Sequence, residues 1–267
     1  MKRIQNPFIF AVLVSAIVAI GVYAKISIKP IMENLVEVDL RAKWISDILV
    51  NLVTFAGMYW ALRRLGLQSL AGFSKAPLRN KKLLLVPLII TLLVSKKIFQ
   101  TDLSEIAWVD MFLLAVWVLS IGLFEEIAFR GLLQANFLRY YKEKKNGVIK
   151  SVVWSSVIFG LLHLLSITNG WVGEISQVGV ATIIGVLFGA LVIRTGRLYP
   201  FVIFHAVFDF FPSLDIITNQ NVILRDHTLS EEFTVILVML PFLAFGIYQL
   251  LKIQKSERVN LSEDNNS

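Results

Sequence analysis

Long apolar runs alternate with short polar, mostly basic segments along nearly the whole chain. That alternation predicts an all-α, polytopic membrane bundle. The runs fall at 7–24, 44–62, 83–95, 108–140, 148–167, 175–193, 198–211 and 233–251, giving about eight transmembrane helices. The first resembles a signal peptide ending in Val22-Tyr23-Ala24, but it is longer than a usual signal core and seven runs follow, so it reads as an uncleaved helix. The third is short and is read as a brief or re-entrant helix. The fourth is too long for one simple crossing, at about 50 Å. Its first half is expected to span, and the part after Glu125 to run amphipathically into the interface. Gly185 and Gly189 in the sixth run have the spacing of a close helix contact. Residues 1–252 form one membrane-embedded domain with its core near 111–211, and 253–267 read as a disordered cytoplasmic tail.

Composition supports this class: 56% of residues are hydrophobic and only 17% charged. The net charge of +7 could suggest a nucleic-acid partner, but the basic residues lie between apolar runs and no soluble module is left to bind one. With the N-terminus cytoplasmic and eight spans, 18 Lys and Arg fall inside and 7 outside. Both termini are therefore expected on the cytoplasmic side. Cysteine is absent, which excludes disulfides and a thiol nucleophile.

A few ionisable residues interrupt the apolar runs, where such groups usually face a bundle interior or a wet cavity. Phe124-Glu125-Glu126-Ile127-Ala128-Phe129-Arg130 holds two carboxylates and a guanidinium, with Glu126 and Arg130 at i,i+4 on one helix face. Such a pair can simply anchor a helix end. Phe159 and His163 lie on the next run, and a single histidine there would ordinarily be a satisfied core residue. His205 and Asp209 share a face of a third run. On the expected topology Glu126 and His163 lie about 20 Å, and His205 about 12 Å, from the cytoplasmic end, so the three segments can meet. His227, beside Asp226 in an extracytoplasmic loop, has no assigned role. The chain lacks the His-Glu-x-x-His helix of zinc peptidases and the Gly-x-Ser-x-Gly elbow of serine hydrolases.

Glu-Glu-xxx-Arg, Phe-xxx-His and His-xxx-Asp, in that order on three spans, resemble the CPBP family of CAAX proteases and bacteriocin-processing enzymes over about 111–211. The match departs only at Asp209, where many relatives carry Asn. The resemblance implies an eight-helix intramembrane peptidase whose catalytic set falls on Glu125, Glu126, Arg130, His163, His205 and Asp209. It implies a peptide or lipid-modified peptide as substrate, met near the cytoplasmic side of a bacterial cell membrane, in bacteriocin immunity or peptide maturation.

Two mechanisms are open. Glu125 could activate water while Glu126 pairs with Arg130. Alternatively a divalent metal such as zinc could be held by Glu125, His163, His205 and Asp209. Two other functions compete: a non-enzymatic membrane immunity or regulatory protein, and an ion or proton transporter.

Overall fold

In a bilayer each backbone N–H and C=O must be bonded within its own segment, so the apolar runs fold as helices. The computed structural model describes residues 6–35, 40–73, 77–104, 106–141, 143–165, 170–218 and 228–264. It is 86% helical, and the described residues form no strand. The protein is an integral, multi-pass helical membrane protein. Its helices are α1 (Pro7–Leu35), α2 (Leu40–Arg64), α3 (Leu85–Val94), α4 (Trp108–Glu126), α5 (Ala135–Tyr141) and α6 (Gly147–Leu162). Then follow α7 (Gly170–Thr195), α8 (Tyr199–Phe210), α9 (Leu214–Thr218) and α10 (Leu229–Asp264).

Among the described residues seven helical stretches are long and apolar enough to cross a membrane. The expected eighth is α3, whose α-helical part has only 10 residues, extended by 3-10 turns at Lys81–Leu84 and Ser95–Gln100. Both ends of this unit are pinned to the ends of α8. At one end Asn80 Nδ2 donates to Arg194 O at 2.8 Å and Arg79 N to Thr195 O at 3.0 Å, just before α8 begins. At the other, Lys97 pairs with Asp215 at 2.8 Å, just after α8 ends. The short third element thus runs the same depth as α8, although its length alone is marginal.

One end of the bundle collects Arg64, Arg139, Arg194 and Arg197. There α2 closes in a left-handed turn at Gly66 (φ 65°), with Leu67 N bonded to Leu62 O at 3.1 Å. Gly72 lies so close to the α7–α8 connection that a Cβ would stand 2.7 Å from Leu198 N. Phe8 packs edge-on to Phe137 and Trp154, and Leu250 and Ile253 pack with Val148 and Val152. Both ends of the described chain therefore lie at this basic end. The helix of α10 continues without a break past residue 253 to Asp264.

Two expectations change. Residues 108–141 form one continuous helical run, but 127–134 are π-helical, and all of Glu126 to Phe137 is buried. The part after Glu125 is therefore the packed centre of the bundle, wrapped by α1, α2, α6 and α7, and not an interfacial helix. Lys25, expected in an outer loop, lies within α1 and turns inward, because α1 continues to Leu35. The Gly185–Gly189 contact is as expected. A Cβ at Gly185 would stand 2.7 Å from Ser156 Cβ of α6, and one at Gly189 would collide with Gln134 Oε1.

Candidate active site

Arg130 lies within the π-helical segment, one turn after Glu126. Its Nη1 lies 2.9 Å from Glu126 Oε1, with both side chains almost fully buried. The guanidinium also lies over Phe159 (4.5 Å) and Phe188 (5.8 Å). Ring faces and a carboxylate offset its desolvation, so this is a structural charge held at the core.

α8 opens with Pro200 in its first turn and places His205 against this pair. His205 Nδ1 donates to Glu126 Oε1 at 2.8 Å. Its Nε2 lies 3.4 Å from Glu125 Oε2 and 3.4 Å from Asp209 Oδ2. Both ring nitrogens thus face carboxylate oxygens, acceptors that a ring N–H satisfies. Gly122 makes this approach possible, since Val202 O is 2.9 Å, and His205 Cβ 3.6 Å, from where a Cβ would sit. The two glutamates differ in environment. Glu126 is sealed from solvent, whereas Glu125 is 21% exposed.

His163 arrives from α6, at the 3-10 turn where that helix ends. Its Nδ1 donates to Phe159 O at 3.0 Å, which leaves Nε2 to accept a hydrogen when the ring is neutral. Phe159 stands edge-on to both imidazoles, 5.0 Å from His163 and 6.2 Å from His205. The Phe-xxx-His pattern therefore supplies an aromatic floor under Arg130 as well as a histidine. A cavity of about 80 Å³ lies between the helices, with His163, Gln177, His205 and Asp209 as its polar lining. Several waters fit such a volume.

The structure therefore brings Glu125, Glu126, Arg130, His205 and Asp209 together directly. His163 joins them across the cavity, while His227 lies outside the described residues. Gln177 is the residue that motif reading missed; its only signal was a polar side chain inside an apolar run. Glu174, one turn earlier on α7, is fully buried.

The acid pair sits 18 residues from Trp108 and 15 from Tyr141, about 27 and 22 Å from the two ends of its helix. The cavity uses the C-terminal parts of α6 and α8 and the N-terminal part of α7. It therefore lies on the half of the bundle away from the basic end.

Among the described residues no three His, Asp or Glu side chains are placed to hold one metal ion. His205 and His163 both use Nδ1, on Glu126 and on Phe159 O, which leaves each Nε2 as the nitrogen a metal would take. As arranged, the donors do not converge on one point.

What the arrangement can do is polarise water. The His205 imidazole, the Asp209 carboxylate and a histidine acceptor border one small cavity, and the partly exposed Glu125 lies 3.4 Å from His205 Nε2.

Residues 107–211 match the family model described as type II CAAX prenyl endopeptidase Rce1-like. The match covers 105 of 267 residues and includes all three polar motifs. The resemblance to CPBP proteases drawn from the motifs is borne out over this segment. No curated protein and no solved structure matches the chain.

Proposed function

We propose that this protein is an intramembrane endopeptidase that hydrolyses a peptide bond in a peptide or lipid-modified peptide. Glu125 acts as general base. The observation that carries the reading is His205, whose two nitrogens meet Glu126, Glu125 and Asp209 at 2.8–3.4 Å beside a cavity shared with His163.

In this mechanism a water near Glu125 gives its proton to that carboxylate as its oxygen attacks the scissile carbonyl carbon. His163 Nε2 accepts a hydrogen bond from the water's second O–H, which stays on the oxygen, and so fixes its direction. The carbonyl oxygen becomes an oxyanion facing the His205 ring, which Glu126 and Asp209 hold in place. Collapse of the tetrahedral intermediate breaks the C–N bond, and Glu125 returns its proton to the departing nitrogen. Arg130 keeps Glu126 in its position throughout.

The depth of the cavity favours a substrate that enters through the bilayer plane or from the half away from the basic end. Peptide maturation and bacteriocin immunity are the roles that such an enzyme would serve.

The test compares secreted and membrane peptides from cells making wild-type or Glu125→Ala protein at equal levels. Peptides that accumulate uncut only with Glu125→Ala support the enzyme. A mutant with full biological function supports a non-catalytic immunity or regulatory protein. Ion flux in liposomes that Glu125→Ala abolishes supports a transporter.

A further inference from the structure

The N-terminal third lies outside the matched segment 107–211, and no motif in it points to chemistry. Yet it delivers a cation to the flank of the site. Lys25 of α1 is half-buried, and its Nζ donates to Asn51 Oδ1 of α2 at 3.1 Å. The ammonium stands 5.6 Å above the ring of Phe124, the residue before Glu125. Asn51 in turn donates from Nδ2 to Ser120 Oγ at 2.9 Å, and Ser120 donates to Trp117 O at 2.7 Å. Trp117 Nε1 donates to Asp47 Oδ2 at 3.2 Å. Asn51 and Ser120 are almost completely buried. The result is a polar chain through α1, α2 and α4 that holds one long flexible side chain in a fixed place.

We propose that Lys25 is a positioning residue for the site, held by Asn51 so that its ammonium supplies a counter-charge to Glu125 from α1. This rests on the reading of Glu125 as the reactive carboxylate. The charge inventory explains why such a cation is wanted. Three carboxylates, Glu125, Glu126 and Asp209, meet around His205, while Arg130 is committed to Glu126. Glu125 has Glu126 and Arg130 on its own run, His205 and Asp209 of α8 at the same junction, and Lys25 of α1 arriving beside its neighbour Phe124. Lys25 itself faces Asp47 and Lys43 of α2 besides Glu125. In a medium of low dielectric, unlike charges a given distance apart interact far more strongly than in water. Asn51 fixes the ammonium without neutralising it, so its charge acts on Asp47 first and on Glu125 second.

The experiment reads the charge on Glu125 without needing a substrate. A hydrophobic carbodiimide reacts with protonated carboxyls, and Glu125 is exposed enough to be reached. Full-length protein in lipid nanodiscs is treated with it across pH 5–9 (the working range, roughly that of membrane function), and labelling at Glu125 is quantified by peptide mass spectrometry. Glu125→Gln gives the blank.

Lys25→Met is expected to raise labelling of Glu125 at neutral pH severalfold, with Lys25→Arg close to wild type. Asn51→Leu, which frees the ammonium, is expected to fall between. Wild-type labelling in Lys25→Met at every pH overturns the proposal. So does an equal rise in Lys25→Arg, since that marks a packing effect and not a charge effect. If Lys25→Met does not fold, Asn51→Leu and Lys25→Arg carry the same comparison. Failure of Glu125→Ala to change peptide processing would sink the enzyme reading and leave the labelling result standing, so the two failures are distinct.

Discussion

Replacing Gly122 by alanine adds one methyl group at the point where α4 meets α8. The new Cβ would lie 2.9 Å from Val202 O and 3.4 Å from Ala206 N, both backbone atoms that cannot rotate away. An unstrained C···O contact needs about 3.3–3.6 Å, so the helices must part by about 0.5 Å. Overpacking of this kind costs about 1–3 kcal/mol, offset by about 0.5–1 kcal/mol from alanine's better helix propensity. A net loss of about 1–2 kcal/mol is expected in thermal or denaturant unfolding in lipid.

The larger effect is on the site. The 2.8 Å bond from His205 to Glu126 spans the same helix contact, one turn further along α4. A misplacement of about 1 Å can cost ~100-fold in rate, so half of that predicts about tenfold slower cleavage of a peptide identified by the Glu125→Ala comparison. Gly57→Ala is the control, because a Cβ there meets nothing within 4 Å. It should leave cleavage unchanged and stability equal or slightly higher. A Gly122→Ala protein that is destabilised yet cuts at the wild-type rate would refute the idea that this helix approach sets the geometry.

Other consequences follow from the same contacts. Arg130→Met alone should destabilise the protein by about 3–5 kcal/mol, because Glu126 is left as an uncompensated buried carboxylate. Arg130→Met with Glu126→Gln should recover much of that loss in unfolding experiments. His163→Ala should abolish cleavage while changing stability by about 0.5–1.5 kcal/mol at most, since its one side-chain hydrogen bond is to its own helix. Dialysis against a strong chelator should leave cleavage intact, and loss of activity restored by added zinc would replace water activation by Glu125 with a metal mechanism.

The readable parts of this protein share a physical cause. An ionisable side chain in an apolar run is costly unless it finds a partner, so each such residue marks an inward position. That logic found Glu126 with Arg130, His205 with Asp209, and His163, and it fixed the Glu126–Arg130 pairing because i,i+4 geometry is local to one helix. It applied equally to the buried polar residues Asn51 and Asp47, which sit in an apolar run but belong to no recognised pattern. Lys25 was misplaced for a related reason. At the edge of a run a lysine ordinarily reaches toward the membrane surface, and nothing local shows that α1 continues for ten more residues.

Contacts between helices were the illegible part. No residue type marks the switch to π-helical bonding at 127–134, so the burial of the segment on all sides could not be foreseen. The role of His205 as the junction of three carboxylates was hidden in the same way, because it depends on how closely α8 approaches α4. The sequence does contain the residue that permits this approach, Gly122, but as one glycine among 15. Only when Val202 O is found 2.9 Å from its missing Cβ does that glycine become part of the site. The polar motifs thus state which groups belong to the site. Small residues on facing helices set whether those groups reach bonding distance, and that second kind of information lies in packing, not in any motif.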